Sequence, residues 1–183
     1  MTPQPAKPHV LIVDDKDSNR TAFEAVLERD FTVTTVGSGR EAIELCRKEE
    51  FAVIVLDVRM PEMDGFETSE ALRSLETTRS TPIIIFTSAY EQTMAQINRG
   101  FVAGATDFLF SPVEPDLLRH KVATYARIYL RQESLRLEVR ELRQALAELH
   151  AELGRRGELA EAAVKDRLDK VERSALALDR DTK

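Results

Sequence analysis

The feature of this chain that most restricts its fold is the alternation, five times over, of short apolar segments with amphipathic ones. Some of the apolar segments, such as Ile83 to Phe86, have almost no polar residue, as strands covered on both faces are expected to have. The predicted strands are residues 10–13, 31–36, 53–56, 83–86 and 106–110, and the predicted helices are residues 18–28, 39–48, 66–75, 92–102 and a last one from near Val113. This order predicts an α/β fold with a parallel sheet and helices on both faces.

Carboxylates follow two of the predicted strands. Asp14 and Asp15 come directly after the first strand, and Asp57 comes directly after the third. Because ligands of such sheets bind at the carboxyl ends of the strands, we expect these three side chains to converge. Buried carboxylates that lie close together raise one another's pKa. We therefore expect the site to bind a divalent cation that prefers oxygen ligands, Mg²⁺. One carboxylate would then act as a nucleophile in phosphoryl transfer.

The composition changes near residue 130. From Arg131 onward the chain has 12 basic and 12 acidic residues, so the net charge of −6 belongs to the preceding part. This charge argues against nucleic acid as a direct partner. No apolar run approaches the roughly 20 residues that cross a bilayer, so no membrane partner is expected. The single Cys46 and a start without a signal peptide point to the cytoplasm.

Several motifs, in order, resemble the receiver domain of bacterial two-component response regulators over residues 8–128. Residues 10–15 (Val-Leu-Ile-Val-Asp-Asp) resemble its first strand with the acidic pair. Residues 56–65 (Leu-Asp-Val-Arg-Met-Pro-Glu-Met-Asp-Gly) resemble its phosphoacceptor strand and loop. Residues 82–89 and 104–112 resemble its fourth and fifth strands. The resemblance implies a flavodoxin-like fold with a five-stranded parallel sheet in the order 2-1-3-4-5.

The resemblance also implies roles for the acidic residues. Asp57 would accept a phosphoryl group from the phosphohistidine of a histidine kinase or a phosphotransfer protein. Asp15, Asp57 and the backbone carbonyl of Arg59 would hold Mg²⁺ directly, and Asp14 would act through water. A regulatory phosphoacceptor is implied, which catalyses only its own phosphorylation and dephosphorylation.

The remaining site positions follow the family except for one. Thr87 matches its switch hydroxyl, and Phe108 matches the aromatic residue that rotates and reports the state on the surface of the fourth helix, fifth strand and fifth helix. Ser111, however, precedes a proline where the family has a lysine. A neutral serine is too short to replace an ammonium there. We therefore expect phosphorylation with altered output or lifetime, unless Lys16 or Arg59 compensates.

The tail, residues 129–183, has a different pattern. Apolar residues step by alternating four and three, which is typical of a coiled-coil seam: Leu135, Val139, Leu142, Leu146, Leu149 and Leu153. A stripe this narrow needs a partner helix, and a homodimer through residues 131–153 is the simplest solution. Residues 154–157 (Gly-Arg-Arg-Gly) break the pattern, and a second apolar series resumes out of phase, which indicates a phase shift or a hinge. A straight rod is favoured over a helix that folds back.

Two alternatives remain open. One is a phosphorylation-independent dimeric adaptor with a degenerate receiver, for which Ser111 is the main support. The other is a haloacid dehalogenase-like phosphatase with Asp15 as its nucleophile. It is less favoured because that family needs a lysine and a late acidic pair that this chain lacks. The downstream protein that would respond to the dimer is not identified by any motif.

Overall fold

The computed structural model describes residues 7–88 and 93–180, with the side chains of residues 157–160, 163 and 171–180 left aside. Strands and helices alternate along these residues in the predicted order. They are β1 (His9–Val13), α1 (Asp17–Leu27), β2 (Thr32–Val36), α2 (Gly39–Cys46), β3 (Val53–Asp57), α3 (Gly65–Arg73), β4 (Ile83–Ser88), α4 (Met94–Val102), β5 (Asp107–Ser111) and α5 (Pro115–Arg180).

The strands form one parallel sheet in the order β2-β1-β3-β4-β5, which confirms the predicted topology. Val13 at the end of β1 lies opposite both Val36 of β2 and Leu56 of β3. On the other side of β3, Asp57 lies opposite Phe86 of β4. The strand order reverses at β1 and β3, so their carboxyl ends are neighbours at the edge where ligands bind in this class of sheet.

Two apolar cores cover the two faces of the sheet. Successive strand residues point to opposite faces, so Leu11 and Ile54 enter one core while Ile12 and Val55 enter the other. The first core is completed by side chains of α2, α3 and α4, and the second by side chains of α1 and α5. Burial on both faces explains why the central strands β1, β3 and β4 are so strongly apolar.

Element boundaries differ from the predictions by one or two residues. β2 begins one residue late because the N–H of Phe31 donates to the carbonyl of Leu27 at 3.0 Å and closes the end of α1. α4 begins after Thr93, whose hydroxyl accepts a hydrogen bond from a backbone N–H of the first turn at 3.2 Å. Its predicted start at Gln92 lies outside the described residues, as does Ala89 of the motif that resembles the fourth strand.

Arg73, at the end of α3, forms hydrogen bonds with the loops that precede β4 and β5. Its guanidinium donates to the carbonyl of Gly104 at 2.7 and 2.9 Å, to that of Thr78 at 2.9 Å and to that of Thr81 at 2.6 Å. Burial lowers the pKa of this guanidinium. A fork of fixed donors suits several carbonyls at once, which a lysine could not satisfy in the same way.

α5 belongs to both units into which the chain divides, Met1–Glu133 and Ser134–Lys183. Its first part packs on the sheet through residues as late as Tyr129, which is 7% exposed. The backbone is helical through residues 154–157, and the predicted change of apolar phase there stays a prediction. Among the described residues, none of the helices combines the length and the apolar character needed to cross a membrane.

Candidate phosphoryl-transfer site

Three carboxylates lie together at the carboxyl edge of the sheet. Asp14 and Asp15 follow β1, Asp57 ends β3, and one oxygen of each lies within 4.8 Å of the others. Asp14 and Asp57 are buried, whereas Asp15 is exposed to solvent. The convergence predicted from the strand order is confirmed.

Asp14 is held in one orientation by the start of α1. The N–H of Lys16 donates to its Oδ1 at 2.8 Å, and the side-chain amide of Asn19 donates to its Oδ2 at 2.8 Å. The guanidinium of Arg20 donates to its backbone carbonyl at 2.6 Å. Both carboxylate oxygens therefore have donors, as buried polar atoms require. The motifs do not single out Asn19 or Arg20, and only their position in the helix after the strand identifies them.

Asp57 is the least compensated member of the cluster. Its Oδ2 is buried and has no hydrogen-bond partner within the described part of the chain. Burial, as the main cause, and the charge of Asp14 raise the pKa of Asp57 from 3.8 to about 7; Lys16 opposes this effect and Asp15 adds to it. The cation that lowers the pKa of this carboxyl is thus Lys16, which directly follows the acidic pair.

The donor set suits a small divalent cation. Mg²⁺ is usually held by one or two carboxylates together with water, and this cluster offers three carboxylates. The Oδ2 of Asp57 is an orphaned acceptor that a cation would satisfy. The exposure of Asp15 leaves that side of the cluster open to water. The residues present therefore fit Mg²⁺, and the contribution of the Arg59 carbonyl stays a prediction.

The loop after β3 folds back against Asp57. The N–H of Gly65 donates to the carbonyl of Val58 at 2.9 Å. Asp64 and Glu67 form a reciprocal capping box at the start of α3, with bonds of 2.8 and 2.9 Å. A Cβ on Gly65 would lie 2.2 Å from the backbone carbonyl oxygen of Asp57. The absence of a side chain at Gly65 is thus a requirement for the loop to close.

Thr87 and Ser111 lie at the same edge as the carboxylates. Thr87 is buried near the end of β4, the strand next to β3. In the pairing of β4 with β5, Ser88 lies opposite Ser111, which is partly buried and is followed by a cis peptide bond to proline. Ser111 therefore lies one strand further from Asp57 than Thr87 does. The roles predicted for Thr87 and Ser111 stay predictions.

Phe108 of β5 packs into a gap in α4. Its ring makes an edge contact with Phe101, with centroids 5.2 Å apart, and lies parallel to Phe110 at 6.1 Å. A Cβ on Gly100 would lie 2.3 Å from the Phe108 ring. The ring is 7% exposed, so the structure holds the predicted aromatic switch residue in an inward position.

A polar cluster joins β5 to α5 beside Phe108. Asp107 forms an ion pair with Lys121 and accepts a hydrogen bond from the hydroxyl of Tyr125 at 3.0 Å. Burial and the bond to Asp107 raise the pKa of Tyr125. The sequence motifs do not single out this cluster, because its members belong to two different elements and lie up to eighteen residues apart in the sequence.

Comparison with known proteins identifies the same domain. The sequence model of one protein family, the response regulator receiver domain, matches residues 10–123. The two-component response regulator ORR5 of rice (Oryza sativa subsp. japonica) is 38% identical over 110 residues, which is 59% of this chain and 81% of ORR5. The transcriptional regulatory protein SrrA of Staphylococcus aureus is 39% identical over 109 residues, which is 58% of this chain but only 42% of SrrA.

A solved structure supports the assignment. The receiver domain of the sensor histidine kinase PA1611 of Pseudomonas aeruginosa PAO1, which has a magnesium ion in its active-site cleft, is 28% identical, with a TM-score of 0.61. It covers 66% of this chain, and this chain covers 98% of it. Because the family match reaches from β1 into α5 and takes in more than half of the residues, the chain belongs to the response regulator receiver domain family of two-component signalling.

Proposed function

We propose that Asp57 of this response regulator accepts a phosphoryl group from the phosphohistidine of a histidine kinase or of a phosphotransfer protein. The observation that supports this most directly is the buried Oδ2 of Asp57, which has no hydrogen-bond partner among the described residues. Both oxygens of Asp14, in contrast, already accept hydrogen bonds. A nucleophile needs an available lone pair, and within the acidic cluster Asp57 offers one.

The transfer exchanges one bond to phosphorus for another. An oxygen of ionised Asp57 attacks the phosphorus while the P–N bond to the donor histidine breaks. The electrons of that bond return to the imidazole, which takes a proton from solvent, and the phosphoryl group stays on Asp57 as an acyl phosphate. Asp15, Asp57 and the Arg59 carbonyl would hold Mg²⁺ directly, and Asp14 would hold it through water; the ion would supply positive charge to the phosphoryl oxygens.

The response to phosphorylation would run through Thr87 and Phe108. The Thr87 hydroxyl would donate to a phosphoryl oxygen, and the change in its position would alter the space that Phe108 fills. Ser111 weakens this step, because the charge-assisted bond of a lysine is worth about 1.5–3 kcal/mol and a serine offers one neutral donor. Lys16 is the cation whose charge already acts on Asp57, so we propose that it takes over part of this function.

The output would be the association of the helical tail. The six apolar residues of the seam, Leu135 to Leu153 as defined above, are between 46% and 64% exposed. A second copy of the same helix would cover them, and a homodimer through residues 131–153 follows. An as yet unidentified downstream protein would respond to the state of this dimer.

The test is phosphorylation of the full chain with a small phosphodonor in Mg²⁺, followed by mass spectrometry. The label should map to Asp57, and Asp57→Asn should remove it. Asp116→Asn, at an exposed position in the first turn of α5, is a matched control that should keep the label. Label retained by Asp57→Asn would contradict the assignment. Beryllofluoride, which mimics the aspartyl phosphate, should change the solution size of the protein if the tail responds.

A second candidate function is a phosphorylation-independent dimeric adaptor. Ser111 favours it, because a receiver without the family's lysine lacks the charge that links the phosphoryl group to β5. In that case the protein would form the same dimer, but neither the phosphodonor nor beryllofluoride would change its size. These two outcomes separate the candidates in one experiment.

A further inference from the structure

The seam of α5 has a charge pattern that distinguishes between the two ways in which a second copy can lie against it. Steps of four and three place Leu135, Leu142 and Leu149 at d positions and Val139, Leu146 and Leu153 at a positions. The positions that flank the seam are therefore also defined. On one side, the e positions hold Arg136, Arg143 and His150; on the other, the g positions hold Glu138, Ala145 and Glu152.

The two flanks thus differ in sign, one basic and one acidic. In a parallel coiled coil each g residue lies near the e residue of the next heptad in the other chain. Glu138 of each copy then meets Arg143 of the other, which gives two opposite-charge pairs per dimer. The same arrangement brings Arg131 near Arg136 of the other copy, which gives two like-charge pairs per dimer at the N-terminal edge of the seam.

An antiparallel dimer has a less favourable pattern. Full overlap of the seam pairs Val139 with Leu149 and Leu135 with Leu153, so that e residues face e residues and g residues face g residues. Glu138 would face Glu152 of the other copy. Arg143 would face its own counterpart across the symmetry axis. Within the seam every charged contact between the two chains is then between like charges.

We infer that a second copy of this chain binds α5 in parallel and in register, with Glu138 and Arg143 setting the orientation. This inference rests on the proposed homodimer and adds its geometry. Glu138 and Arg143 are exposed, and Glu138 accepts only a long 3.4 Å hydrogen bond, from Ser134 of its own helix. Both side chains are therefore available to a partner. In a parallel dimer the two chains enter the seam from the same end.

Cysteine cross-linking tests the orientation directly. The native Cys46 is buried, so the background is low. Two variants of the full chain, Leu135→Cys and Leu153→Cys, carry different affinity tags. Each variant is oxidised alone. The two are also mixed, allowed to exchange subunits, and then oxidised. A parallel dimer should cross-link each variant to itself and not to the other, because the two positions are about 27 Å apart along a helix. Both leucines are exposed, so the receiver fold should tolerate the changes.

Each other result overturns a defined part of the reasoning. A dimer that cross-links only in the mixture is antiparallel and refutes the orientation while the proposed function stands. A dimer without either cross-link also refutes it, since in-register a and d positions lie within disulfide reach. A monomer, seen by light scattering on the unmodified chain, refutes both the proposed homodimer and this inference.

Charge exchange provides an independent readout. Glu138→Arg should weaken the parallel dimer by about three- to tenfold in Kd, because it replaces two attractive pairs by two repulsive ones. In an antiparallel dimer the same change would place an arginine opposite Glu152 and tighten binding. The double variant Glu138→Arg with Arg143→Glu should restore the affinity of the parallel dimer to within about twofold. A tighter Glu138→Arg dimer would refute the parallel arrangement.

Discussion

Replacing Asp57 by Asn should make the metal-free protein more stable at neutral and alkaline pH. The pKa of the Asp57 carboxyl rises from 3.8 to about 7 in the folded protein, chiefly through burial and then through the charge of Asp14. A raised pKa means that folding favours the protonated acid, so its ionisation destabilises the fold. The penalty is absent below pH 3.8, grows as the pH rises, and is complete above about pH 7.

The size of the effect follows from the same pKa difference. One pKa unit corresponds to 1.36 kcal/mol, so the ionised carboxyl lowers the free energy of unfolding by up to about 4 kcal/mol. Asparagine has nearly the same shape and no charge. At pH 8 and without divalent cations, Asp57→Asn should therefore raise the free energy of unfolding by about 1–4 kcal/mol.

Urea unfolding followed by circular dichroism measures this difference, because the chain has no tryptophan for fluorescence. The stabilisation should shrink towards zero near pH 4. Saturating Mg²⁺ should reduce the difference in free energy of unfolding between the variant and the wild type at pH 8. A cation that binds only the folded wild-type protein stabilises that protein selectively. Asp15→Asn removes a carboxylate of the same cluster from an exposed position and should have a much smaller effect. An Asp57→Asn protein no more stable than the wild type at pH 8 without metal would refute the reasoning.

Three further substitutions test other parts of the structure. Gly65→Ala should abolish phosphorylation and cost about 1–3 kcal/mol of stability, because the new Cβ meets the Asp57 carbonyl; normal labelling would contradict the loop closure. Ser111→Lys should enlarge the change in solution size caused by beryllofluoride, and an unchanged response would mean that Lys16 or Mg²⁺ already suffices. Arg73→Met should lower the free energy of unfolding by about 2–4 kcal/mol by leaving carbonyls unpaired, measured by urea unfolding, with exposed Arg79→Met as the near-neutral control.

The sheet could be predicted from the sequence because two-sided burial leaves a strong pattern. Segments such as Ile83 to Phe86 have no polar residue, and their alternation with amphipathic segments allows few other folds. The acidic cluster could be predicted equally well, because its members come at strand ends. Both predictions depend on local composition and on one general rule about parallel sheets.

Other features depend on contacts between elements that are distant in the sequence. The packing of Phe108 against Gly100 requires the orientation of α4, which no motif specifies. The bonds from Asn19 and Arg20 to Asp14 require the angle at which α1 leaves the sheet. The start of β2 depends on a single backbone bond that closes α1. Such details are set by tertiary packing, which local propensity describes poorly.

The contact between Phe108 and Gly100 has a consequence for the kind of signal that this domain can transmit. The ring occupies the space where any residue other than glycine at position 100 would carry its Cβ. If Phe108 rotates as proposed above, its ring has to leave this space beside Gly100. Packed interiors of this kind favour discrete arrangements over continuous ones. Under the proposed function, phosphorylation would then change the fraction of molecules in each arrangement rather than the position of the ring within every molecule.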